Sequence, residues 1–363
     1  MKKISLLLSL WMAVFLFVAG CQQKDQGIQD TKEETKKLTV YTTIFPLEDF
    51  TKKIGGEFVD VQSIYPPGVD AHSFEPTTKT ITEIAAADLF IYSGAGVEGF
   101  VEKMEDVLKD EKVTLVKAAE GIDLLKAADE HAHQEEHAHE EEDHHSEDEH
   151  AHEDKHHSED EHAHEDEDEH QHADGEHAHE EEHNHSHGDY DPHVWLDPVL
   201  AISLAENIKN ALSGKMPEHK DTFEQNFEGL KADLEKLDAE FKEAVAKGKT
   251  KYLLVTHAAY GYWEQRYGLE QIAISGLSPT QEPSQKELTE VIEESKEHHL
   301  KYVIFEQNVS SKVAEVIQKE IGAETLKLHN LEAVTKEDIQ NHEDYFSLMK
   351  KNLETIKTAI GVK

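Results

Sequence analysis

The sequence predicts an α/β protein of two lobes, each a mainly parallel sheet flanked by helices, joined by one long rigid helix. Three observations predict it. Residues 38–119 alternate short β-type runs with helical runs, the pattern of a parallel sheet with crossover helices. Residues 252–329 repeat that alternation. Between the two, Phe223, Phe227, Leu230, Leu234, Leu237, Phe241 and Val245 recur at intervals of three and four, so all seven share one helical face.

Each element has a local reason. LTVYTTI (38–44) has the β-branched content of a strand, and Pro46 suits the first turn of a helix over 46–54. FVDVQSIY (58–65) alternates like a strand and runs into the turn signal Pro66-Pro67-Gly68. A helix over 78–88, a buried strand LFIYSG (89–94), a helix over 97–110 and a strand VTLVKAA (113–119) complete the first alternation. Residues 198–216 read as a helix ending near Gly214, and Pro217 restarts the chain. The striped helix over 217–248 would measure about 45 Å at ~1.5 Å per residue, long enough to join two lobes. YLLVTHA (252–258) and EQIAISG (270–276) are strands. The helix over 284–299 begins with Ser284 and Glu287 in capping-box spacing. YVIFEQN (302–308) and TLKLH (325–329) are strands around a helix over 310–322, and a single helix over 336–361 closes the chain. The lobes are therefore 38–128 with 188–216, and 249–363.

Charge separates a further region. The 363 residues carry 77 acids, 36 Lys and Arg and 27 His, for a formal net charge of −41. Residues 129–187 hold 26 of the acids and a single lysine, Lys155, leaving −16 for the rest. Such acidity excludes nucleic acid as a partner, because phosphate must be met by Lys and Arg. The same tract holds 19 histidines between 131 and 187 and repeats HHSEDEHAHED at 144–154 and 156–166. With no aliphatic side chain larger than alanine, it is expected to be disordered. Imidazole suits Zn, Cu and Ni, so the tract reads as a metal collector or sensor. Two HExxH matches inside it, at 152–156 and 179–183, lack the apolar face that a catalytic helix needs and are read as products of composition.

The N-terminus is an address. Met1-Lys2-Lys3 precedes an apolar run over 4–20, and Val18-Ala19-Gly20-Cys21 resembles a bacterial lipobox. Cys21 is the only cysteine, so there is no internal disulfide. Residues 1–20 are expected to be a lipoprotein signal peptide, Cys21 the lipidated residue, and polar 21–37 a tether reaching about 50 Å at ~3.3 Å per residue. The chain would then lie on the extracytoplasmic face of the cell membrane, held by its acyl chains.

Eight histidines lie outside the tract. His219, His298, His299 and His342 fall in polar helical stretches and read as surface residues, while His329 is ambiguous at a strand end. His72 in GVDAHSFEP (68–76), His193 in DPHVWLDP (191–198) and His257 at the end of YLLVTH lie at loop tips. Open α/β sheets place ligands beyond the carboxyl ends of their strands. His72 and His257 satisfy that rule, one in each lobe.

AHSFEP, DPHVWLDP and THAAYGYW (256–263) together resemble the zinc-specific solute-binding lipoproteins of ABC importers, the ZnuA/AdcA-like members of the metal-binding cluster A-I family. The resemblance covers about 38–363, and the further C-terminal zinc domain of longer members has no counterpart in that span. It implies Zn²⁺ held in the interlobe cleft by His72, His193, His257 and a carboxylate, placed at Glu332 in HNLEAVT, with Glu306 or a water as alternatives. It also implies an ABC permease membrane subunit as partner, a monomer, and no enzymatic activity. Where relatives commonly read HDA this chain reads His257-Ala258-Ala259, which removes a nearby carboxylate. Manganese-carrying relatives look as if they hold a carboxylate where His257 stands. Zn²⁺ accepts imidazoles and a carboxylate in a tetrahedron, whereas Mn²⁺ favours more oxygen ligands. Asp197 and Glu75 are candidates for orienting the histidines, or for capping and turn formation. The competing functions are a zinc-dependent hydrolase and a surface zinc-storage or adhesin protein acting through the tract.

Overall fold

The computed structural model describes residues 36–127, 190–307 and 311–362. The signal segment 1–20, Cys21, the tether up to residue 35 and the tract 129–187 lie outside the described residues. In chain order the elements are β1 (Leu38–Thr42), α1 (Phe45–Gly55), β2 (Val59–Ser63), α2 (Thr78–Ala85), β3 (Leu89–Tyr92), α3 (Val101–Leu108) and β4 (Thr114–Lys117). After the gap come α4 (Pro198–Lys215) and α5 (Lys220–Val245). The second lobe contains β5 (Tyr252–His257), α6 (Gly261–Tyr267), β6 (Glu270–Ser275), α7 (Gln285–Glu297), β7 (Tyr302–Glu306), α8 (Lys312–Ile321), β8 (Glu324–Leu328), α9 (Lys336–Gln340) and α10 (Tyr345–Ala359).

Both sheets are four-stranded and wholly parallel, in the orders β2-β1-β3-β4 and β6-β5-β7-β8. Each order reverses beside its first strand, between β1 and β3 and between β5 and β7. Such a reversal opens a crevice where ligands bind. His257 ends β5 and Glu306 ends β7, so these two residues flank the second crevice.

The apolar stripe forms α5 as expected. Phe223, Phe227, Leu230, Leu234, Leu237 and Phe241 are all buried. The helix is shorter than the expected 217–248, because Pro217–His219 forms a separate 3-10 turn before it. One core runs from the first lobe through α4 and α5 to the inner face of the second sheet, joining Val40, Leu89, Leu204, Phe241, Val255 and Leu328. A smaller cluster, with Leu254, Ile272, Val303 and Ile317, lies under α7 and α8 on the other face. Alternate residues of β5 thus serve different cores, as the two-residue period of a strand requires.

Two expectations are corrected. The closing helix is two helices, because Thr335–Asp338 and Asp344–Ser347 each form a capping box that starts a new one, and His342 between them has φ 54°. Helix α6 was not expected. It covers seven residues, too few to show a periodic stripe, and ends at Gly268 in the left-handed conformation.

Candidate metal centre

His72 is delivered by a turn that the sequence marks. Gly68 has φ 81° after Pro67, and Val69 N–H bonds Pro66 C=O at 3.2 Å. Glycine is favoured there because a type II turn needs positive φ at its third position. Asp70 then accepts from His72 N–H at 3.0 Å and from Ser73 Oγ at 2.7 Å, fixing the loop tip.

His193 sits in the turn before α4. Asp191 Oδ1 accepts from its backbone N–H at 2.9 Å and lies 2.8 Å from its Nδ1. His257 Nδ1 faces Glu306 Oε1, which also accepts from Thr256 Oγ1 at 3.0 Å. Each carboxylate holds Nδ1 as the donor, so each Nε2 presents its lone pair to the cleft.

Glu332 follows β8, yet the first lobe holds it. Its carbonyl accepts from Phe45 N–H at 2.9 Å at the start of α1. Its Oε2 accepts from Ala71 N–H at 3.3 Å, and Gly68 N–H bonds Val334 C=O at 2.9 Å. On the other side, His329 supports the same turn. Its Nδ1 accepts from Leu331 N–H at 2.9 Å and its Nε2 lies 3.2 Å from Asp338, so the ambiguous histidine is a buried structural one.

The four side chains converge. Nε2 of His193 lies 3.3 Å from Nε2 of His72 and 3.3 Å from Nε2 of His257. Glu332 Oε1 lies 3.3 Å from His72 Nε2 and 3.9 Å from His193 Nε2. One ligand atom from each of the four lies within 4.8 Å of every other. Ligands about 2.05 Å from a tetrahedral metal stand about 3.3 Å apart, the separation of three of these pairs, and the wider ones would close around the ion. Glu332 Oε1 is buried and accepts no hydrogen bond among the described residues, as suits an atom directed at a cation. The side chains of His72, His193, His257 and Glu332 are 2% exposed or less.

The electrostatics agree. Burial alone would raise the Glu332 carboxyl, but the imidazoles of His72, His257 and His193 outweigh it and hold its pKa at about 2. Burial opposes charge on His257, yet the Glu306 carboxylate prevails and lifts the imidazole above its ordinary value. Burial pushes Asp191 up to about 7, against the His193 N–H and the charges of His257 and His72.

The chain matches the family model for the zinc-uptake complex component A, periplasmic (ZnuA), over residues 40–359. The chain belongs to the ZnuA family. Among curated ZnuA relatives it is 36% identical to the high-affinity zinc uptake system protein ZnuA of Bacillus subtilis, covering 97% of this chain and 96% of that one. It is 35% identical to the zinc-binding lipoprotein AdcA of Streptococcus pneumoniae, over 98% of this chain but 61% of AdcA. The chain thus spans about three fifths of that longer relative. In structure it resembles the Zn(II)-bound ZnuA-like domain of Streptococcus pneumoniae AdcA, with a TM-score of 0.65 and 32% identity over 89% of this chain and 99% of that domain.

Some site residues stand elsewhere than the sequence suggested. Glu306, the alternative fourth ligand, is on the far side of the His257 ring, at Nδ1. Asp197 orients no histidine among the described residues. It caps α4, accepting from Val199 and Leu200 N–H, and pairs with Arg266. Glu75 is exposed and has no hydrogen bond or ion pair among the described residues. Asp191 was missed as an orienting group, although its place two residues before His193 is a readable signal. His219 and His298 are half-buried by stacking on Phe58 and Tyr252, while His299 and His342 are exposed.

Proposed function

We propose that this chain captures Zn²⁺ in the interlobe cleft through His72, His193, His257 and Glu332 and delivers it to an ABC-type permease. The observation that carries the proposal is the convergence of one ligand atom from each of three histidines and a glutamate, all within 4.8 Å of one another. The donor set favours Zn²⁺ over Mn²⁺, which prefers more oxygen ligands. The anchor is Cys21 on the extracytoplasmic face of the membrane, the chain acts as a monomer, and the tract 129–187 collects or senses ions. The proposal includes no catalysis. A hydrolase needs an open coordination position beside its metal, and here a buried carboxylate supplies the fourth ligand.

The test is competition calorimetry on the full mature chain against a chelator of known affinity. One tight Zn²⁺ per chain, lost in His193→Ala and not displaced by Mn²⁺, is the expected result. If His193→Ala leaves the tight site intact, the cleft is not the capture site and the tract is. An ester and amide hydrolysis screen of the loaded chain is expected to show no turnover.

A further inference from the structure

Asn330 is an amide junction beneath the proposed centre. It is 3% exposed. Its Nδ2 donates to Glu306 Oε2 at 3.1 Å, on the carboxylate that holds His257 Nδ1. Its Oδ1 accepts from Glu332 N–H at 3.2 Å and from Gln307 Nε2 at 2.8 Å. Its backbone N–H donates to Gln307 Oε1 at 3.2 Å. Its carbonyl accepts from Trp195 Nε1 at 2.8 Å, across the cleft and two residues from His193. The amide can face only one way. Turned over, its oxygen would meet the Glu306 carboxylate and its nitrogen would meet two donors.

We infer that Asn330 is a positioning residue for the metal centre, setting His257 through Glu306 and Glu332 through its backbone while tying both to the His193 turn. The inference rests on the zinc-site reading of the four ligands. Three of those ligands reach Asn330 through one intervening group or turn, so a change there moves them together. Groups that orient a metal's ligands commonly contribute 10- to 100-fold to affinity.

The hydrogen bond between Asn330 and Glu306 can be reversed, which supplies the test. N330D places two carboxylates against each other, and E306Q places two amide donors against each other. In N330D/E306Q the amide at 306 donates to the carboxylate at 330, while its oxygen still accepts from His257 and Thr256. Zn²⁺ affinity is measured on the full mature chain by chelator competition. N330D is expected to lose about 10- to 100-fold, and the double variant to bind more tightly than N330D alone. Co²⁺ loading gives an independent reading, since four-coordinate Co²⁺ absorbs more strongly in the visible than six-coordinate. The band is expected to weaken in N330D and return in the double variant.

A double variant that binds no better than N330D overturns the inference. If N330D does not fold, a folded, zinc-binding double variant supports the inference and an unfolded one overturns it. Failure of the zinc-site reading is distinct, because then His193→Ala would leave the tight site of the wild-type chain untouched.

Discussion

Acidification is expected to expel the metal, and the size of the effect follows from two protons. Zn²⁺ requires neutral imidazoles at His72, His193 and His257 and an ionised Asp191 behind His193. In the metal-free cleft Asp191 titrates at about 7, and His257 lies above its ordinary value. Asp191 therefore holds a proton that the ion must displace once the pH falls below about 7, and His257 holds one that it keeps to a higher pH than an ordinary imidazole does. Affinity is fully present above those values and is lost as the pH falls through them. Glu332, held at about 2, stays ionised throughout and contributes nothing in this window. Each displaced proton weakens binding tenfold per pH unit, about 1.36 kcal/mol. Between about pH 7 and pH 5, one to two protons give a loss of about 10²- to 10⁴-fold. The assay is calorimetry in buffers of different ionisation heat, with the His193→Ala titration subtracted to remove ions held by the tract. Release of fewer than about one proton per Zn²⁺ near pH 6, or a flat affinity across the range, would refute the reasoning.

Other outcomes follow from the same geometry. Asp191→Asn should cost about 10- to 100-fold in Zn²⁺ affinity and shallow the pH dependence, measured by the same titration. Glu332→Gln removes the carboxylate of the four-residue cluster and should weaken Zn²⁺ at least about 100-fold by chelator competition. Trp263, fully buried and donating to Leu196 C=O at 2.7 Å, should cost about 3–5 kcal/mol on change to alanine, read by urea unfolding of metal-free protein. Asp197→Ala removes the α4 cap and strands Arg266, with an expected loss of about 2–4 kcal/mol in the same assay.

The fold was legible because strand and helix periods differ and each lobe repeats the alternation. The residues of α5 announced their buried face six times over. What escaped was short or terminal. The seven residues of α6 cannot complete two turns of a stripe, and the break before α10 depends on Asp344 and Ser347 pairing as a box. The ligands were legible from loop position and motif. Their supports were harder to read, because Glu306 meets His257 only when β7 lies beside β5, and strand order is a tertiary fact. Of the two roles open to Asp197, orienting a histidine or capping a helix, the helix start claims its oxygens.

The return of α10 to the first lobe has a consequence for how the protein is made. Tyr345 N–H bonds Asp49 across 296 residues of chain, and Lys53 pairs with Asp344 across 291. Tyr345 Oη also donates to Trp195 C=O at 2.8 Å. The first lobe therefore cannot finish its core until α10 has emerged, because that packing partner is synthesised 291 to 296 residues later. Such distant contacts slow folding and leave the earlier lobe exposed until they form. The acidic tract lies inside that long loop, yet doubling a loop's length adds only about 0.6 kcal/mol to its closure. A large insertion at that point is thus nearly neutral for folding, which leaves its length and composition open to change without disturbing the fold around it.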